Sequence, residues 1–158
     1  MIPRYERAER TFRLHLNAPS AAVFPLFGPK LESLWAPEWQ PRFIHPGDGE
    51  VDRHGAVFIV PADDERPEST WVMTAYEESE GRVEYVYVAP EHNVTQIWIR
   101  VTPAGGSASD VAVTYRRTAL SEAGNLFVER FAATVEEMGA HWEQSINGYL
   151  DRSQRAEV

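Results

Sequence analysis

The amino-acid sequence predicts an α+β fold, in which a curved antiparallel sheet of about seven strands wraps around one long C-terminal helix. Between residues 10 and 118, short runs rich in β-branched and aromatic residues, most of them alternating apolar with polar side chains, are separated by turn residues. From Ser121 onward the apolar residues recur at steps of three and four instead, which is typical of an amphipathic helix.

The first strand is followed by two short helices. In the stretch RTFRLHLN, residues 10–17, apolar and polar side chains alternate, which predicts a strand with its apolar side inward. Ser20 can cap a short helix, and Pro25 limits the length of that helix. The stretch KLESLW, residues 30–35, predicts a second short helical turn.

Six further strands are predicted after these helices. A short second strand lies within the proline-rich stretch LWAPEWQPRFIHPGDG, residues 34–49. Because the turns between the later strands are short, we expect the strands to pair antiparallel as a meander. The acidic connection PADDERPES, residues 61–69, is longer and is either a solvated loop or a mobile lid. The five longer runs are Ala56–Val60, Thr70–Tyr76, Arg82–Val88, Val94–Val101 and Asp110–Thr118.

The last predicted element is a helix of about seven or eight turns. Its apolar stripe is wide enough to cover the apolar face of the sheet. We predict a single domain over residues 1–158, with a core at about 10–151 and a polar, frayed tail at 152–158. The stripe consists of Val128, Phe131, Val135, Met138, Trp142, Ile146 and Tyr149.

Composition narrows the possible partners. The 158 residues include 24 acids and 15 bases, and the net charge of −9 would repel a nucleic acid. The absence of cysteine excludes disulfides and thiolate metal sites. We find no signal peptide and no apolar run near the ~20 residues that span a bilayer. We therefore expect a cytoplasmic protein without a membrane span, and a homodimer is compatible with the sequence.

Three stretches carry a resemblance to a known superfamily: FRLHLNAPSAAVFPLFG, WQPRFIHPGDG and VAVTYRRTALSEAGN. Together with the order of elements, they resemble the START-like, polyketide cyclase-like superfamily (SRPBCC), which has the helix-grip fold. The resemblance covers about Phe12 to Leu150. It implies a cavity between the sheet and the long helix that holds a hydrophobic or amphipathic small molecule. Members include carriers, cyclases, dioxygenase subunits and chaperone-activating domains, and the chain lacks the metal-ligand spacing of the dioxygenases.

Alternation along the strands selects the side chains that would face this cavity. The aliphatic members can equally be plain core, whereas inward tyrosines need hydrogen-bond partners that a pocket supplies more readily. Two tryptophans near the short helices either plug the end of the core or line the pocket. The predicted ligand-binding residues are Trp35, Trp39, Trp71, Met73, Tyr85, Tyr87, Ile97, Ile99, Val113, Tyr115, Phe127, Phe131, Val135 and Met138.

The same alternation places Trp98 on the outer face of the sheet. An exposed tryptophan there would mark a contact surface. A strand register shifted by one residue would instead exchange the two faces and bring Trp98 inward.

Two residues are candidates for catalysis. His92, in PEHN, lies on a tight loop that would flank the cavity mouth, where it is either a proton donor and acceptor or a solvated loop residue. Arg117 can pair with a ligand carboxylate or with an acid on the long helix. The five histidines show no metal-binding spacing, and we predict neither a metal nor an organic cofactor.

Three functions are consistent with these observations. The first is the binding of a small hydrophobic or amphipathic ligand. The second is a cyclase or dehydratase-like enzyme, which needs at least two titratable side chains converging in the same cavity. The third is a protein-interaction module, which needs a closed core and an exposed apolar patch.

Overall fold

The computed structural model describes residues 4–47 and 52–156 and contains a seven-stranded sheet in the order β1-β7-β6-β5-β4-β3-β2. Every neighbouring pair is antiparallel, so β2 to β7 form the predicted meander and β1 pairs with β7. The strands are β1 (Arg7–Leu16), β2 (Arg42–His45), β3 (Val57–Val60), β4 (Ser69–Glu77), β5 (Arg82–Ala89), β6 (Asn93–Pro103) and β7 (Ser109–Ala119).

The helices fall where the sequence predicts them. The α-helices are α1 (Ser20–Val23) and α2 (Glu122–Ala156), and the 3-10 turns are Phe24–Phe27, Glu32–Leu34 and Glu78–Glu80. The first turn continues α1, and the second is the short helical turn expected in KLESLW. The predicted α+β helix-grip class is therefore confirmed.

The register of β6 settles the position of Trp98. Ile97 pairs with Tyr115 across β6 and β7, and both side chains are buried on the inner face. Trp98 lies on the outer face, where the guanidinium carbon of Arg116 is 5.1 Å from its ring centroid. The predicted register is confirmed, and a cation covers the tryptophan on the outer face.

Helix α2 is longer than predicted. It has 35 residues, or nearly ten turns at about 3.6 residues each, so residues 152–156 of the expected frayed tail are helical. These residues include arginine, glutamine and alanine, which favour helix. Asn147 fastens the helix to the end of β1, because its amide accepts from Asn17 N at 2.9 Å and donates to His15 O at 3.0 Å.

Two further expectations need comment. Ser20 does not cap α1, because Pro19 occupies the cap position and the Ser20 hydroxyl lies 3.2 Å from the Ser109 hydroxyl. Residues 48 and 49 of the quoted WQPRFIHPGDG stretch and residues 157 and 158 of the tail lie outside the described residues.

Candidate functional site

A partly enclosed cavity of about 580 Å³ lies between the inner face of the sheet, α2 and the short helices. It opens because α2 packs closely against β1 and β7 and leaves the inner faces of β4 and β5 uncovered. Aromatic side chains dominate its wall. They are Trp35, Trp39, Trp71, Tyr85, Tyr87, Tyr115, Phe127 and Trp142.

The two tryptophans after α1 both plug the fold and line the cavity. The Trp35 indole donates to Leu26 O at 2.8 Å, and the Trp39 indole donates to Pro29 O at 2.8 Å. These hydrogen bonds tie each ring to the backbone of the short-helix region. Both rings also form part of the cavity wall. These tryptophans therefore do both things that the sequence analysis gave as alternatives: they plug the end of the core and they line the pocket.

A stacked pair forms the sheet side of the cavity. The rings of Trp71 and Tyr87 lie with centroids 4.5 Å apart and planes at 20°, and Trp39 meets Trp71 edge-on at 5.3 Å. The Trp71 indole donates to the Ser69 hydroxyl at 2.8 Å, which fixes the ring. Offset stacks and edge contacts of this kind stabilise aromatic clusters by about 0.5–1.5 kcal/mol per pair.

The cavity tyrosines differ in what their hydroxyls do. Tyr85 donates to Phe27 O at 2.6 Å, so its hydroxyl supports the fold. The Tyr115 hydroxyl has no hydrogen-bond partner among the described residues. Burial is the main cause that raises the pKa of both tyrosines, so both remain neutral phenols. Tyr115 is therefore a hydrogen-bond donor directed at the cavity contents.

Arg117 is the buried charge of the site, with only 6% of its surface exposed. Its Nη1 donates to the Tyr87 hydroxyl oxygen at 2.5 Å and to Thr95 Oγ1 at 3.0 Å. Its guanidinium carbon lies 4.6 Å from the ring centroid of Phe127 and 4.8 Å from those of Tyr115 and Phe131. Such contacts are cation–π interactions.

The acid on α2 that we expected beside Arg117 is not found there. Within residues 4–47 and 52–156, Arg117 forms no ion pair, and its Nε has no hydrogen-bond partner. The apolar stripe forms the inward face of α2, and Glu143, the α2 acid that reaches the sheet, accepts from His15 N on β1 at 2.6 Å instead. The structural ion pair predicted for Arg117 is therefore wrong.

His92 does not line the cavity, so far as the described residues form its wall. A chain of hydrogen bonds links it to the site, from Thr95 Oγ1 to Asn93 Oδ1 at 2.6 Å and from Asn93 Nδ2 to His92 Nδ1 at 2.8 Å. Burial lowers the pKa of His92, and the charge of Arg117 lowers it further. The neutral ring of His92 is thus placed to hold the side chain of Asn93 in position.

Glu32 is a cavity residue that the sequence analysis missed. Its carboxyl accepts no hydrogen bond within the described residues, and it lines the cavity near Glu38 and Arg66. Its pKa is raised to about 8, mainly by burial and also by the Glu38 carboxylate, while the charge of Arg66 opposes the change. A signal was available, because Glu32 and Trp35 are three residues apart on a 3-10 turn and so share a face.

The acidic loop forms part of the cavity rim. Pro61, Asp63 and Arg66 all line the opening. The Asp63 carboxylate accepts from the backbone N–H groups of Glu65 at 2.8 Å and Arg66 at 2.7 Å. These hydrogen bonds are the main cause that lowers the pKa of Asp63. The loop is folded on itself at the mouth, which is where a lid would lie.

The structure brings most of the predicted ligand-binding residues together. Met73 and Val113 are fully buried in the core, and Phe131 packs against Tyr115 with ring centroids 5.9 Å apart. Of the described residues predicted to bind ligand, nine line the cavity and five pack in the core outside it. The nine are Trp35, Trp39, Trp71, Tyr85, Tyr87, Ile97, Ile99, Tyr115 and Phe127; the five are Met73, Val113, Phe131, Val135 and Met138.

Within residues 4–47 and 52–156, no cluster of three or more His, Asp or Glu side chains is arranged to hold a metal ion. No helix in these ranges is both long enough and apolar enough to cross a membrane.

Several solved structures share this fold. Norcoclaurine synthase from Thalictrum flavum matches with a TM-score of 0.67 at 12% identity, covering 95% of this chain and 97% of that one. The Zhui aromatase/cyclase from Streptomyces sp. R1128 gives 0.71 at 15% identity, over 96% and 98%. Ara h 8.0201 gives 0.63 at 15% identity, over 91% and 97%.

The chain has the helix-grip fold. All three similar structures belong to the START-like superfamily that the sequence resembles. No protein-family model matches the sequence, and no curated protein matches it. At identities this low, structural likeness shows the fold and leaves the ligand and the chemistry to the site itself.

Proposed function

We propose that the protein binds one small hydrophobic or amphipathic molecule in the cavity between the sheet and α2. The observation that carries this proposal is the cavity of about 580 Å³ with its aromatic wall. Ligand pockets in proteins usually enclose about 300–1,000 Å³ and combine apolar walls with a few polar groups. A module with a closed core would have filled this space with side chains.

The wall is also preorganised for a ligand. The indole N–H groups of Trp35, Trp39 and Trp71 are all bonded to protein oxygens. Their rings therefore keep their orientation without a ligand, and little side-chain entropy is lost when one binds. Rings held in this way favour a flat, aromatic or polyene-like ligand, which would stack on them.

The similar structures support this proposal without identifying the ligand. One structure of the Thalictrum enzyme is a complex with dopamine and hydroxybenzaldehyde, two small aromatic molecules. The Streptomyces protein is an aromatase/cyclase. Both use the same fold for small molecules. A cytoplasmic location and a homodimer stay predictions.

Binding can be tested with the neutral fluorophore N-phenyl-1-naphthylamine and by native mass spectrometry of the purified protein. We expect a saturable fluorescence increase at one site per chain. Ser145 lines the cavity from α2, so Ser145→Trp should fill it and weaken binding at least tenfold. Ala133 lies on the exposed face of α2, so Ala133→Trp is the matched control and should bind normally. Equal binding by both variants would contradict the proposal.

A second function, an enzyme of the cyclase or dehydratase kind, is favoured by the joint presence of Glu32 and Arg117 in one cavity. In its ionised form, Glu32 could take a proton from a carbon beside a carbonyl group. The C–H electron pair would then move to the carbonyl oxygen, where Arg117 and the Tyr115 hydroxyl would stabilise the negative charge.

Turnover of a co-purified ligand would separate the two functions. For the enzyme, Glu32→Gln should abolish product formation while the ligand still binds, because the amide cannot accept the proton. A ligand that leaves the wild-type protein chemically unchanged would identify the protein as a carrier or sensor.

A further inference from the structure

We propose that the natural ligand carries one anionic group, a carboxylate, phenolate or other oxyanion, and that Arg117 binds this group. The inference rests on the proposed function and specifies the class of ligand. It is carried by three features of the site: a buried charge, the lack of a described carboxylate within ion-pair distance of it, and a surplus of hydrogen-bond donors.

The first feature is the electrostatic state of Arg117. Only 6% of its surface is exposed, yet a guanidinium keeps its charge in any protein environment. Moving such a charge out of water is unfavourable by several kcal/mol unless a counter-charge compensates it. Cation–π contacts with the rings of Phe127, Tyr115 and Phe131 offset part of this unfavourable free energy.

The second feature is the contrast between two arginines of the same sheet. Arg82, on the surface, is surrounded by Glu77, Glu80 and Glu84 at 2.6, 3.5 and 3.3 Å. Arg117 is far more buried and, within residues 4–47 and 52–156, has no carboxylate in ion-pair range. The acids in the described part of the chain therefore leave this buried cation without an ion pair beside the cavity.

The third feature is the balance of donors and acceptors. The Tyr87 and Thr95 oxygens accept from Arg117, and the Thr95 proton is donated to Asn93. The phenol protons of Tyr87 and Tyr115 and the guanidinium Nε–H remain without a partner among the described residues. Several donors thus converge where few acceptors are free, and an oxyanion is the group that satisfies such an arrangement.

Glu32 does not remove this surplus. Its carboxyl lines the cavity but forms no ion pair with Arg117 in the described structure. Burial raises its pKa, which favours the neutral form and weakens the repulsion of a bound anion.

The test uses two fluorescent probes that share one aromatic body, 8-anilinonaphthalene-1-sulfonate and the neutral N-phenyl-1-naphthylamine. At pH 7 we expect the wild-type protein to bind the sulfonate about ten- to a hundredfold more tightly, the usual effect of a charge-assisted hydrogen bond. In Arg117→Met this preference should disappear. Arg117→Lys keeps the charge but loses the planar guanidinium that packs on the rings, so it should retain part of this preference. Arg116→Met removes the neighbouring charge on the outer face and should change nothing.

The outcomes separate the two proposals. If the neutral probe binds and the sulfonate preference is the same in wild type and Arg117→Met, the anion site is refuted and the binding function stands. If neither probe binds the wild-type protein, the proposed function itself fails. A melting temperature of unliganded Arg117→Met at or above that of wild type would support a ligand-binding role, because the variant removes an uncompensated charge. A large drop, rescued by Arg117→Lys, would assign the residue to the fold and overturn the inference.

Discussion

The carboxyl of Glu32 should make the stability of this protein depend on pH in an unusual direction. The group is protonated in the folded state up to about pH 8, whereas an ordinary glutamate ionises near pH 4.5. Between these values the folded chain binds more protons than the unfolded chain. The free energy of unfolding therefore falls as pH rises through this window, and it is constant, for this group, below and above it.

The magnitude follows from the size of the pKa change. A pKa raised from 4.5 to about 8 corresponds to about 5 kcal/mol, at about 1.4 kcal/mol for each pH unit. This is an upper limit, because the carboxyl still reaches solvent through the cavity and water screens part of the effect. We expect about half of it, roughly 2–3 kcal/mol.

The perturbation is Glu32→Gln, which has the shape of the protonated acid and cannot ionise. Urea unfolding at pH 5 should give nearly equal stabilities for the wild type and this variant. At pH 8.5 the variant should be more stable by about 2–3 kcal/mol. Glu136→Gln removes the same charge from the exposed face of α2 and serves as the control, with no comparable change between the two pH values.

If Glu32→Gln and the wild type lose stability in parallel between pH 5 and pH 8.5, the carboxyl is ionised at neutral pH in the folded protein. The argument from burial would then be refuted, and with it the statement that the neutral form of Glu32 is favoured in the cavity.

Two further pairs of substitutions test the packing of the fold and the roles of the tyrosines. Gly148→Ala on α2 should raise the free energy of urea unfolding by about 1 kcal/mol, because a new Cβ would meet only the flexible end of Arg152, at 3.4 Å. Gly124→Ala should lower it by more than that, since the new Cβ would collide with the carbonyl of His92. The reverse order would refute the packing at the start of α2. Tyr85→Phe removes a buried hydrogen bond and should lower the free energy of unfolding by about 1–2 kcal/mol. Tyr115→Phe should leave the free energy of unfolding nearly unchanged and should weaken the binding of anionic probes severalfold. Equal stability losses would place the Tyr115 hydroxyl in the fold.

The architecture of this protein was readable from local patterns. Alternation with a period of two selected Tyr85 and Ile97 for the inner face and Trp98 for the outer face, and the structure has them there. Such patterns are informative because one face of each strand must leave water, and that requirement acts at every position of the strand.

The composition of the cavity wall was only partly readable. Met73 and Tyr85 pair directly across β4 and β5, and both point inward, yet Tyr85 lines the cavity and Met73 is sealed in the core. The pattern gives the face of the sheet but not what packs above each position of that face. The packing depends on how α2 and the short helices lie on the sheet, which is a property of the whole structure.

What the sequence determined by itself is the order of the elements, the face of the sheet on which each strand residue lies, and the presence of a long helix able to cover that face. What only the tertiary structure decided is the electrostatic character of the cavity. Arg117 could have met an acid of α2, and the spacing of Glu32 and Trp35 indicated a shared face but not the burial of Glu32. Side chains that are distant in sequence set the burial and the partners of both groups, and these long-range contacts leave no periodic trace in the chain.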